Sequence, residues 1–224
     1  MCKNRPKGAH RRTKAKKSHN LPRAFGEEDD ILGRVITGDE TWVYQYDPEM
    51  KQQSAQWKTA NSPRPKQFCQ SKSRVKTMLL TFFAIRGIVH YEFVPTGQTL
   101  NQVYYLEVLK RLNEKVRRKQ AELFANNSWI LHHDNAPAHT ALSMREFSAT
   151  KQITVLEHPA YSPDLPSNDF FLFPKIKEIL KGRHFDDIDD IMSNSMAAVK
   201  AIPRNQFQYC FEGWTRRWHW CIAS

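Results

Sequence analysis

A chain of 224 residues, 40% of them hydrophobic, is long enough to bury one sizeable core, and its length suggests a single domain with at most an appendage. Its 34 Lys and Arg against 23 Asp and Glu give a formal charge of +11, a balance that suits a polyanionic partner. No apolar run approaches the length of a membrane span and no apolar segment follows the basic N-terminus, so a membrane protein and a secretory leader are excluded and a soluble, intracellular protein is expected.

The charge is unevenly placed. Residues 1–23 hold nine of the basic residues and no acid, leaving 25 bases against 23 acids in the rest of the chain. Residues 1–24 are also poor in large apolar side chains and carry Pro6 and Pro22, so they read as a disordered basic tail: a nuclear-import or DNA-gripping arm, or simply a solvated extension. The four cysteines, Cys2, Cys69, Cys210 and Cys221, are scattered, which fits a reducing compartment rather than a disulfide framework.

From Arg34 to Tyr46 a run of β-branched and aromatic residues predicts a strand, with Gly38, Asp39 and Glu40 inside it. Successive strand side chains point to opposite faces, so only one of these two acids can face a shared site. Residues 47–74 form a polar, Pro-containing excursion, basic between Trp57 and Val75, of a length that compact domains seldom carry without a function. Val75 to Ile85 is a continuous apolar run typical of a central strand, and Arg86-Gly87 turns it into Ile88–Val94 as an antiparallel hairpin. An amphipathic helix follows from Asn101 to about Glu122, with Val103, Leu106, Leu109, Leu112 and Val116 on one face and six basic residues on the other.

Trp129–His132 reads as a buried strand that turns polar at Asp134, where a strand end exposes a carboxylate. A helix from about His139 to Thr150 and a short strand over Ile153–Leu156 come next, then a loop marked by Pro159, Pro163 and Pro166. Asp169 stands at a helix start, where the positive end of the dipole favours an acid, and Pro174 then has to lie in the first turn. Asp186–Ile191 opens a further helix, and Phe207, Phe211, Trp214, Trp218 and Cys221 stripe a last one as core. This order predicts an α/β fold: a five-stranded mixed sheet flanked by helices.

Asp39, Asp134 and Asp169 thus stand at separate element ends. Hard divalent cations prefer such oxygen ligands, and two of them can activate an attacking oxygen and stabilise a leaving one in phosphodiester displacement. His132, His133, His139 and His158 lie close in sequence, but no cysteine accompanies them and adjacent histidines on a strand face opposite ways, which argues against zinc. His132 or His133 is expected instead to pack beside Asp134 or to hydrogen-bond to it.

Three strings, Ile36-Thr37-Gly38-Asp39-Glu40-Thr41-Trp42-Val43-Tyr44, His132-His133-Asp134-Asn135-Ala136-Pro137-Ala138-His139 and Tyr161-Ser162-Pro163-Asp164-Leu165 followed by Asp169, closely resemble the catalytic domain of mariner-family transposases. The resemblance runs from about Phe25 to the C-terminus and includes that family's spacing of 34 residues between Asp134 and Asp169. It implies an RNase H-like fold over residues 25–224 and DNA strand cutting and joining at a two-metal site. Asp39, Asp134 and Asp169 would hold Mg²⁺ or Mn²⁺, Glu40 would be turned away, and Asp164 would structure its loop. It further implies DNA as partner, a homodimer formed through a clamp-like loop at about 47–74, nuclear localisation, and neither a membrane nor a small-molecule substrate.

The resemblance departs at the front. Such transposases carry paired helix-turn-helix modules before the catalytic domain, whereas residues 1–24 lack helical periodicity, so a truncated copy without sequence-specific end recognition is expected. The alternative expectation is a non-catalytic remnant that binds nucleic acid or dimerises.

Overall fold

The structure is a computed structural model that describes residues 31–48, 72–125, 128–159 and 165–223, with side chains described as far as Trp218 in the last helix. The basic tail, residues 49–71 of the long excursion and Asp164 lie outside the described residues.

The apolar, β-branched runs form five strands: β1 (Val35–Tyr44), β2 (Lys76–Ala84), β3 (Gly87–Val94), β4 (Ile130–His132) and β5 (Thr154–Leu156). They make one sheet in the order β3-β2-β1-β4-β5, antiparallel from β3 to β1 and parallel from β1 to β5. This is the predicted five-stranded mixed sheet. β2 is buried over nearly its whole length, as a central strand covered on both faces must be.

Strand alternation divides the core in two. On one face Val35, Val43, Leu79, Phe83 and Ile130 pack under α6 (Phe173–Leu180), α7 (Ile188–Ala201) and α8 (Arg204–Ala223). On the other, Ile36, Leu80, Phe82 and Leu131 pack under α2 (Gln102–Lys119) and α5 (Leu142–Thr150). The aromatic stripe of α8 is core as predicted: Phe207, Phe211, Trp214 and Trp218 are all buried. Phe83 meets Phe171, Phe207 and Phe211 at ring separations of 5.5 to 6.0 Å, in the edge-on and tilted geometries that aromatic quadrupoles prefer.

Helix boundaries differ from the sequence reading in three places. A four-residue turn, α1 (Ile31–Arg34), precedes β1. The helix capped by Asn101 stops at Lys119, where Gln120 leaves helical geometry, and a short α3 (Ala121–Ala125) follows. The helix expected over His139–Thr150 is two pieces, α4 (Pro137–Thr140) and α5, because Ala141 is extended at φ −58° and ψ 152°. Glu92 on β3 accepts two hydrogen bonds from Arg111, at 2.9 and 2.8 Å, which ties α2 to the sheet edge.

Gly38 is required by packing. A Cβ built there would lie 2.3 Å from the ring of Phe82, its partner on β2. Gly38→Ala should destabilise the fold by about 1–3 kcal/mol through overpacking, and Phe82→Leu in the same chain should restore part of it. Urea unfolding of the two variants measures both effects; an unchanged midpoint for Gly38→Ala would contradict the packing.

Candidate active site

The site begins with register. β1 and β4 are parallel, paired Val35 to Ile130, Ile36 to Leu131 and Thr37 to His132. Asp39 and Asp134 each stand two residues past the last of these pairs, so the two acids emerge at the same end of two strands that lie side by side.

The third acid arrives from the far part of the chain. Ser167 donates its hydroxyl to Thr37 Oγ1 at 3.2 Å, and Thr81 donates to Asn168 Oδ1 at 3.0 Å. Thr81 is the register partner of Asp39. Both contacts are buried, and the next residue, Asp169, is thereby held against the β1 end. It lies in a π-turn, Asn168–Leu172, in which Phe173 N–H bonds Asn168 O, and not in the ordinary helix start that the sequence suggested. Such widened turns often mark functional positions. Pro174 falls in the first turn of α6, as its missing N–H requires.

The electrostatics join these residues into one neighbourhood. Asp39 is pushed up to about 8, by burial above all, with a backbone hydrogen bond from Glu40 N–H opposing and the charges of Asp169, Glu40 and Asp134 adding to the rise. Asp169 is raised by burial and by Asp134, with Lys177 and His158 opposing. Asp134 goes the other way, to about 2, because His139 hydrogen-bonds it, helped by Ala136 N–H against the cost of burial.

Asp134 Oδ1 lies 2.6 Å from His139 Nδ1 and accepts Ala136 N–H at 3.0 Å. The histidine bonded to the acid is therefore His139, not His132 or His133 as expected. His132 is buried against Thr37, His158 and Trp214; burial first, then neighbouring His158 and His133, holds it down at about 3. His133 turns to the opposite face, bonds Tyr105 Oη at 3.0 Å and is held at about 3 by burial and by His139. Both are neutral, buried packing groups.

Glu40 is a neighbour of the three acids rather than one of them. Alternation does turn it to the opposite face from Asp39, yet its Oε2 stands 3.7 Å from His139 Nε2, and its carboxyl is raised by burial and by Asp134 and Asp169 while His139 lowers it. It belongs to the same charged neighbourhood, approached from beneath. Thr37, Thr81, Ser167, Asn168 and His139 were missed as site builders. Only the polar residues interrupting otherwise apolar strands offered a signal for two of them.

Among the described residues no three His, Cys, Asp or Glu side chains form a ready-made metal-binding group. The donor set nevertheless suits a hard cation: its acids offer only oxygen, and Mg²⁺ is commonly held through one or two carboxylates, with waters and substrate phosphates completing the shell.

A sheet ordered β3-β2-β1-β4-β5, with helices on both faces and acids at the shared end of β1 and β4, is an RNase H-like domain. Residues 47–125 match the family described as transposase (partial DDE domain). The chain is 31% identical over 197 residues to the mariner Mos1 transposase of Drosophila mauritiana, covering 87% of this chain and 56% of that protein. The crystal structure of the catalytic domain of that transposase superposes with a TM-score of 0.72 at 26% identity, covering 91% of this chain and 87% of that one. A Mos1 paired-end complex with left transposon end gives 0.79 at 28% identity (91% and 58% covered), and a paired-end complex with Mn gives 0.77 at 30% (86% and 55%). The chain belongs to the mariner-family transposases and corresponds to their catalytic domain. It spans little more than half the length of the Mos1 protein.

The crowded carboxyls make a pH prediction. Asp39 binds its proton more tightly in the folded chain, at about 8, than in the unfolded one, at 3.8. Folding stability should therefore fall as pH rises from about 4 to 8. In EDTA, Asp39→Asn should melt higher than the parent at pH 8, by at least about 2–4 °C for each kcal/mol relieved, and the gain should vanish below about pH 4. A gain that is constant across this range would show that Asp39 is not crowded.

Proposed function

We propose that this chain cuts and joins DNA strands in a divalent-metal-dependent reaction, with Asp39, Asp134 and Asp169 as the metal-holding residues. The observation that carries the reading is the convergence of the three acids from distant parts of the sequence on one end of the sheet, through the β1–β4 register and the two buried hydroxyl contacts that hold the Asp169 segment to β1 and β2. The similarity to Mos1 structures, one with a left transposon end and others with Mn or Mg, supports DNA and a hard divalent cation as the partners.

When bound at these carboxylates in a two-metal site, Mg²⁺ or Mn²⁺ would polarise the scissile phosphate and the attacking oxygen. The chain's own residues supply orientation. His139 and Ala136 N–H fix one oxygen of Asp134, and the Ser167 and Thr81 hydroxyl contacts fix the segment that carries Asp169.

Beyond Asp39 the hairpin offers a surface suited to a nucleic-acid strand. Trp42 is partly exposed, with Lys76 Nζ 3.9 Å from its ring centre; Lys72 lies 4.7 Å from the Tyr44 ring centre. Cations interleaved with aromatic faces give both phosphate attraction and stacking. The reading assigns cutting and joining to this domain. Homodimerisation through the 47–74 excursion and nuclear import through the basic tail complete the proposal. Light scattering that finds only monomer, or a fluorescent fusion whose nuclear signal is unchanged on removing residues 1–24, would remove the respective part.

The deciding experiment is nicking of supercoiled plasmid with Mg²⁺ or Mn²⁺. The parent chain should nick, EDTA should stop it, and Asp134→Ala should reduce it by more than about 100-fold, beyond the usual loss from an outer supporting group. Equal nicking by Asp134→Ala would overturn the assignment.

A further inference from the structure

Beneath Asp134, on the sheet face away from Asp39, lies a buried polar assembly built around the histidine that holds one oxygen of that carboxylate. His139 is 3% exposed. Its ring rests on Tyr105 at a centroid distance of 4.0 Å and stacks on His133 at 5.1 Å with an interplanar angle of 16°. Tyr105 Oη in turn lies 3.0 Å from His133 Nδ1, so the supporting rings are themselves pinned.

An ionised carboxylate can only accept, so the proton in the 2.6 Å contact belongs to His139 Nδ1. Oδ1 of Asp134 then receives two donors, His139 and Ala136 N–H, while Oδ2 has no hydrogen bond among the described residues. At the other end of the imidazole, Nε2 faces Glu40 Oε2 at 3.7 Å, and neither atom has a hydrogen-bond partner among the described residues. Burying two such atoms unsatisfied costs stability, and an apolar pair of similar shape would avoid the loss. Their position beside Asp134 fits a task performed on that carboxylate.

We propose that His139, braced by Glu40 and by the Tyr105 and His133 rings, is a positioning residue that occupies one oxygen of Asp134 and leaves the other directed at a divalent cation. The inference rests on the proposed metal-holding role of Asp134. The turn from Asp134 through Pro137 into the short α4 is part of the device: it brings His139 back to the carboxylate five residues earlier. Ligands supported in this way by a neighbouring hydrogen bond typically lose 10- to 100-fold in metal affinity when the support is removed.

The test measures Mn²⁺ affinity of the full chain from the free-ion electron paramagnetic resonance signal, without DNA. An Asn amide nitrogen stands near the position of His Nδ1, and a Gln amide nitrogen nearer that of Nε2. His139→Asn should therefore bind Mn²⁺ within about threefold of the parent, whereas His139→Gln and His139→Ala should bind about 10- to 100-fold more weakly. Glu40→Ala should weaken binding in the parent and weaken it clearly less in the His139→Ala background, because part of its effect passes through the imidazole. Circular dichroism checks folding, and if the Ala variants unfold, the Asn and Gln pair decides.

Equal affinity across the His139 variants, with Asp134→Ala still impaired, would overturn this inference alone. Additive losses for Glu40 and His139 would overturn the brace. No Mn²⁺ binding by the parent, or none that depends on Asp134, would overturn the proposed function together with this inference.

Discussion

Two buried hydroxyl contacts, Ser167 to Thr37 and Thr81 to Asn168, join the C-terminal half of the chain to its first hairpin. They span 130 and 87 residues in sequence. The helical layer on that face is fixed to the sheet by apolar packing, which is strong but without direction. The hydroxyl pairs supply the direction. They determine which turn of the π-segment meets β1, and so where Asp169 stands relative to Asp39. Without them the same aromatic core would tolerate a sliding of the helix; with them the third acid has one position.

The acids gathered there oppose folding. Asp39, Glu40 and Asp169 are all raised by burial in one another's company, and only Asp134 is clearly relieved, through His139. A surface optimised for stability would scatter these charges. Local loss of stability at one end of the sheet, compensated by two dense apolar clusters along its faces, is the pattern expected of a functional site on an otherwise self-consistent fold.

What was legible in the sequence was what short-range pattern controls. β-branched runs marked β1 and β2, Arg86-Gly87 marked the hairpin turn, and the apolar stretch before Asp134 marked β4. The three aspartates were found because motif wording and spacing resembled a family, not because periodicity singled them out among 23 acids. The rest depended on contacts between distant residues. Nothing local to Ala141 announces an extended residue between two helical turns; Asp134 and Pro137 shape that path only once β4 has ended. The π-turn is equally silent, since Asn168–Leu172 reads as an ordinary helix start. Strand alternation correctly assigned Glu40 to the opposite face from Asp39, but it could not show that the chain folds His139 underneath to meet it.

The strand that carries Asp39 also leads into the long excursion. Past Tyr44 the pairing continues, with Gln45 N–H bonded to Val75 O and Ser73 N–H to Tyr46 O, each at 3.0 Å. The five residue steps from Asp39 to Tyr44 span about 17 Å of extended chain, and β2 stiffens them along the whole distance. In mechanical terms this hairpin is a beam, with a carboxylate near its anchored end and the excursion at its free end. A load on the free end is carried by backbone hydrogen bonds to the strand on which Asp39 sits.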